Sequence, residues 1–273
     1  MKNYIVNSIL LFITSITILS AQVKPQDWEI AAQAYSFKDF TLEETLENLE
    51  LLDIKFIEMY RKQQISSTDK TFTNFDMSKE KSDKVQMLLK KHGIKLSSYG
   101  VISPKKKNDW EVLFKFAKKM GIETIVSEPI FDQVPMVDEL CKKYDIKLAI
   151  HNHATPTKYW DPATVKSVLK GRSNYIRVCA DIGHWKRSGL DVAKSLKMLK
   201  GHIHELHLKD VDKPSTDATI VPLGTGIIKW NKVFKELKRQ HFKGKMVIEH
   251  TAKKEVLMDD MKLNVEFLKT NIK

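Results

Sequence analysis

With 273 residues, 42% of them hydrophobic, the chain has enough apolar side chain to bury a core, which excludes disorder and fits one large domain or two small ones. The 46 Lys and Arg residues outnumber the 34 Asp and Glu, giving a formal net charge of +12. The lysines are spread along the chain, and the densest run, Lys105 to Lys107, follows Pro104 in an expected loop, so the charge describes a solvated basic surface and argues against a nucleic-acid partner.

The first stretch, MKNYIVNSILLFITSITILSAQ, has the charged start, apolar middle and small residue (Ala21) of a secretory signal. Residues 1–21 are therefore expected to be removed, leaving 22–273 as the mature domain of a protein exported to a bacterial periplasm. The apolar run is short of the ~20 residues that span a bilayer, so no stable membrane insertion is expected after cleavage. Three later segments share a phrase: KKHGIKL, KKMGIET and KKYDIKL. Paired lysines suit the negative end of a helix dipole, Gly or Asp suits the left-handed residue after it, and the following Ile opens a β-prone run. The phrases recur at about the length of one strand plus one helix, which is a βα repeat.

Taken in chain order, strands are expected at Trp28 to Phe37, Ile54 to Tyr60, Ile94 to Ile102, Thr124 to Glu128, Lys147 to His153, Tyr175 to Asp181, Ile203 to Lys209 and Lys245 to Glu249. Helical patterns separate them, the first opening with a Thr41/Glu44 capping box and the fifth with Asp161-Pro162. The polar gap from 61 to 78 is expected to be a loop over one end. Eight such units in one chain predict an α/β fold, a single (β/α)8 TIM barrel. Neither a dinucleotide-binding G-x-G-x-x-G after the first strand nor a P-loop is present. Cys141 falls in an expected helix and Cys179 in an expected strand; they form no disulfide framework, and their spacing does not decide whether they pair.

The active end of such a barrel lies at the C-terminal ends of its strands. There the sequence places Glu58 (FIEMY), Glu128 (IVSEP), His151 and His153 (IHNH), Asp181 and His184 (CADIGHW), His207 and Lys209 (HELHLKD), and Glu249 and His250 (VIEH). A lone His or Glu at a strand end is usually a rim residue, but six strands delivering imidazole or carboxylate to one end point to a site. Mixed His and carboxylate ligands suit a divalent ion such as Mn, Co, Zn, Fe or Ni. Cys179, two residues before Asp181, is expected one layer deeper as a small core residue. Gly224-Thr225-Gly226 offers backbone amides near the mouth, and Tyr60, Trp160 and Trp185 are candidates to stack on a ligand ring.

The motifs KLAIHNH, CADIGHW, HELHLKDVD, PLGTGIIKW and MVIEH resemble, in order, the xylose isomerase-like barrels, the sugar phosphate isomerase and epimerase family; the HNH form resembles a recurrent, exported subgroup. The resemblance implies one divalent metal on His151, Asp181, His207 and Glu249. Many relatives carry Glu where this chain has His151, which leaves Glu128 or His153 as substitutes. It also implies proton abstraction beside a sugar carbonyl through an enediolate, with Glu249 and Glu58 as acid or base, Lys209 stabilising an oxyanion, and His153 and His184 contacting a carbohydrate substrate. Export favours an unphosphorylated sugar or keto-sugar. The alternatives are a lyase or hydratase eliminating on keto-glycosides, an endonuclease IV-like phosphodiesterase, or a non-catalytic sugar-binding protein.

Overall fold

In the computed structural model, residues 28–272 are described; the expected signal sequence lies outside them. Eight parallel strands close into a barrel. They are β1 (Glu29–Gln33), β2 (Phe56–Met59), β3 (Lys95–Tyr99), β4 (Thr124–Ser127), β5 (Lys147–Ile150), β6 (Ile176–Asp181) and β7 (Ile203–Leu208), closed by β10 (Lys245–Ile248), which pairs with both β7 and β1. A two-residue ribbon, β8 (Asp210–Val211) against β9 (Ile220–Val221), leaves the barrel after β7. The surrounding helices are α1 (Leu42–Leu51), α2 (Lys79–Lys91), α3 (Lys107–Met120), α4 (Val134–Tyr144), α5 (Pro162–Leu169), α6 (Ile182–Arg187), α7 (Val192–Met198), α8 (Trp230–Arg239) and α9 (Lys254–Asn271).

The shared lysine phrases act as read. After α2, α3 and α4 the chain passes through Gly93, Gly121 and Asp145, each with positive φ, and the next isoleucine is buried one or two residues ahead of a strand. Thr41 and Glu44 form the capping box of α1, and Asp161 caps α5 ahead of Pro162. Several boundaries differ from expectation: β2 runs only over Phe56–Met59, β3 ends at Tyr99 and β5 ends at Ile150, leaving His151 and His153 just past it, and two further differences have a visible cause. The first strand stops at Gln33 because its side-chain oxygen accepts from the Tyr35 amide and turns Ala34–Phe37 into a 3-10 helix. The Lys105 to Lys107 run is not all loop, since Lys107 begins α3.

The greater part of the apolar core lies between the barrel and its helices, where Trp110, Phe114, Leu46 and Leu148 are fully closed to water. A smaller cluster of Val126, Ala149 and Cys179 packs inside the barrel. Both cysteines are free and buried, with burial raising the Cys179 thiol well above its ordinary pKa. The 61–78 loop is tied down: Gln63 donates to the Phe37 and Phe40 carbonyls and to Thr45, and Asp69 pairs with Lys81 and Lys84 of α2. No helix among the described residues is long and apolar enough to cross a membrane.

Candidate metal centre

Four side chains at the C-terminal strand ends converge so that one donor atom from each of His151, Asp181, His207 and Glu249 lies within 4.8 Å of the others. All four are buried. Asp181 ends β6 and caps α6, its Oδ1 accepting from the His184 amide at 2.8 Å, which leaves Oδ2 to face the cluster. His151 Nε2 lies 3.5 Å from that oxygen, and His207 Nδ1 lies 4.0 Å from it and 2.9 Å from Glu249 Oε2. Neither imidazole nitrogen has a hydrogen-bond partner although both are buried. Two orphaned nitrogens aimed at two carboxylate oxygens form a donor set that fits a divalent first-row metal.

The other nitrogen of each imidazole is held. His207 Nε2 lies 2.8 Å from Glu58 Oε2, and His151 Nδ1 lies 2.9 Å from Glu128 Oε1. A carboxylate behind each ring takes the N–H and turns the lone pair toward the cluster. Burial opposes charging these rings, yet Asp181 and Glu128 raise the His151 pKa, and Cys179, Glu58 and Glu249 raise that of His207. Burial likewise opposes ionising Asp181 and Glu249, but the cations facing them hold both well below the usual carboxylate range. Lys209 is among those cations, its Nζ at 2.6 Å from Asp181 Oδ2 and 2.9 Å from Glu249 Oε2. Burial lowers the His184 pKa to about 3, so this ring, 3.3 Å from Lys209 through Nε2, is neutral at ordinary pH.

Glu58, expected to oppose the metal as an acid or base, lies beneath the cluster, fully buried and bonded to His207 and Gln33, and it does not line the cavity above. Glu128, the alternative ligand, sits behind His151 and draws in His153, accepting from its backbone N–H and approaching its Nδ1 at 2.5 Å. Trp185 is packed in the core and not available to a ligand, whereas Tyr60 reaches the mouth and meets Tyr35 edge to face at 5.3 Å. The Gly224-Thr225-Gly226 amides do not serve the mouth either. Those of Gly224 and Gly226 donate to Asp210, which also accepts from Val211, Ile228 and the Trp230 indole.

Over the cluster opens a cavity of about 480 Å³ whose wall includes Tyr35, Tyr60, Arg61, Glu128, His153 and Glu249. The strand-end pattern did not single out Tyr35 and Arg61 in the wall, nor two residues that brace the cluster. Gln33 ends β1 and donates to Glu58 and to the Gly100 carbonyl. Asn152, between the two histidines, exchanges both of its amide hydrogen bonds with the Asp181 backbone at 3.0 Å, tying the end of β5 to β6 where two of the candidate metal ligands sit. The alternation of I-H-N-H carried the signal: Asn152 points away from the face that His151 and His153 share.

The sequence model of the xylose isomerase-like TIM barrel matches residues 46–270. The chain belongs to this family. Within the xylose isomerase-like barrels, a similar solved structure is an uncharacterised protein of Parabacteroides distasonis ATCC 8503, 35% identical, with TM-score 0.72, covering 89% of this chain and 99% of that one. Two more distant barrels share the fold. One is the probable 3-DHS dehydratase AsbF of Bacillus anthracis (14% identity, TM-score 0.70, 89% of this chain and 99% of that one). The other is D-psicose 3-epimerase of Clostridium cellulolyticum H10 (12% identity, TM-score 0.69, 90% and 99%). No curated protein matches the chain.

Proposed function

We propose that the protein is a divalent-metal-dependent isomerase or epimerase of an unphosphorylated sugar or keto-sugar, exported from the cytoplasm. The observation that carries this reading is the buried set His151, Asp181, His207 and Glu249, with two orphaned imidazole nitrogens, directly beneath a cavity walled by aromatic and ionisable side chains. When bound, a divalent ion supplies Lewis acidity that polarises a carbonyl and acidifies the neighbouring C–H. The chain's own residues do the rest.

Glu249 belongs both to the ligand set and to the cavity wall, so it is the carboxylate that can reach a substrate proton. Lys209, buried between Glu249 and Asp181 and outside the cavity wall, keeps both carboxylates ionised. His153, half-exposed in the wall and tied to Glu128, is placed to bind a hydroxyl. Neutral His184 orients Lys209, and Glu58 acts as a positioning residue for His207. A second reading, β-elimination on a keto-glycoside, draws support from His153, its Nδ1 held by the Glu128 carboxylate, sharing the cavity with Glu249: elimination needs an acid for the leaving group as well as a base.

Metal analysis of protein purified without chelators, followed by proton NMR in D2O with keto-sugars and keto-glycosides, tests both readings. One bound divalent ion and exchange beside the carbonyl, lost in Asp181→Ala and Glu249→Ala, are expected. Epimer or unsaturated product then selects between them. Absence of metal uptake, or full exchange in both variants, would reject the proposal. Export is checked separately by fractionating expressing cells and sequencing the mature N-terminus, expected near Gln22.

A further inference from the structure

The end of the barrel opposite the ligand cluster holds a second cavity, about 280 Å³, at the N-terminal ends of β6, β7 and β10. Its lining includes Arg177, His204, Gln240, His241 and Lys243, with no carboxylate. Arg177 is the second residue of β6, half-buried, and no hydrogen bond or ion pair engages its guanidinium among the described residues. Burial alone pulls its pKa below the ordinary arginine value, with no acid close enough to offset it. Confining a cation in that way is unfavourable unless a counter-charge arrives.

The surroundings reinforce the imbalance. The register of β6 against β7 slips between Val178 and Cys179, so that His204 is the unmatched residue and reaches Thr124 Oγ1 at 3.0 Å. Burial and the nearby Lys147, Lys245 and Arg177 lower its pKa to about 3, so it is a neutral ring able to donate or accept a hydrogen bond. Glu123, the acid that acts on His204, is engaged with Lys95 at 2.5 Å and with Lys245. Gly244, just ahead of β10, approaches the His204 carbonyl so closely that a side chain there would collide with it.

We infer that this basin is a second, anion-binding site that takes a small tetrahedral oxyanion, phosphate either free or as a compact monoester, through the Arg177 fork with Lys243 and His241 at its rim. Guanidinium pairs with such oxyanions bidentately, and the cavity leaves room for a short organic tail. The site is separate from the sugar cavity and independent of the proposed reaction.

Isothermal titration and thermal unfolding with inorganic phosphate, against chloride at matched ionic strength, test it; glycerol phosphate titrated in parallel distinguishes free phosphate from a monoester. Saturable binding and a phosphate-specific rise in Tm are expected. Arg177→Met should abolish both, Arg177→Lys should weaken binding about tenfold because it loses the fork, and Lys243→Met, on the exposed rim, should weaken it several-fold. In phosphate-free buffer Arg177→Met should match or exceed the wild-type Tm, because an unpaired half-buried cation is removed. A lower Tm there would make Arg177 a structural member and overturn the inference. So would the absence of any phosphate effect beyond ionic strength, or wild-type affinity in Arg177→Met.

Discussion

Replacing Asp210 by Asn tests whether one carboxylate organises the loop that follows β7. Asp210 is fully buried and accepts five hydrogen bonds: Oδ1 from the Val211 and Ile228 amides, Oδ2 from the Gly224 and Gly226 amides and, at 2.7 Å, from the Trp230 indole. An asparagine has one acceptor oxygen. Its better rotamer turns that oxygen to the three donors and its NH2 toward Val211 and Ile228, leaving those two amides unsatisfied. At about 1–3 kcal/mol for each buried orphan donor, the variant should lose about 2–6 kcal/mol of folding free energy. For a chain of this size that is a fall in Tm of roughly 4–24 °C. Urea titration at fixed pH measures it, with a lower midpoint and an unchanged slope. Metal uptake of the folded variant should stay intact, since none of these bonds touches a ligand. A variant within about 0.5 kcal/mol of wild type would refute the reasoning and mean that water replaces the lost acceptor.

Glu58→Gln keeps the volume beneath His207 but removes the charge that fixes its ring, so divalent metal affinity by titration calorimetry should fall about 10- to 100-fold; unchanged affinity would show that Glu58 does not set the His207 lone pair. Gly183→Ala would put a methyl carbon 2.4 Å from Lys209 Cβ, pushing α6 from the end of β7. It should cost about 1–3 kcal/mol of stability and weaken metal binding through Asp181 and Lys209. Asp69 is held well below the usual carboxylate range by Lys84, Thr71 and Lys81. Its contribution to stability is therefore complete above the unfolded carboxylate pKa of about 4 and fades as pH falls toward the folded value. Asp69→Asn should be less stable than wild type at pH 7, with the gap closing in acid; a gap independent of pH would count against the ion pairs that hold the loop.

Much of the fold was legible because helix stops and strand starts are local chemistry. The Lys-Lys-x-Gly/Asp-Ile phrase carries dipole, left-handed turn and buried β-branched residue in adjacent positions, and each recurs at the end of a helix. The first strand was overextended because a side chain-to-backbone bond from Gln33 ends it, and no run of β-prone residues reports such a bond. At the site, alternation at the strand ends placed His151, Asp181, His207 and Glu249 at one mouth. It did not separate the ionisable groups that meet the cavity from those beneath it. Glu58 reads as a mouth residue from FIEMY, but the closure of β1 and β2 sets Gln33 beside it and draws it under His207.

By itself, then, the sequence determined the repeating βα unit, the end of the barrel where ionisable groups gather and the residue types found there, because periodicity, capping and strand polarity act over a few neighbouring residues. Only the tertiary structure decided which carboxylate backs which imidazole, that the Gly224 and Gly226 amides serve Asp210, and that Arg177 stands unpaired among the described residues at the far end. Those pairings join residues far apart in the chain, and their geometry is set by barrel closure and strand register, which no local pattern records.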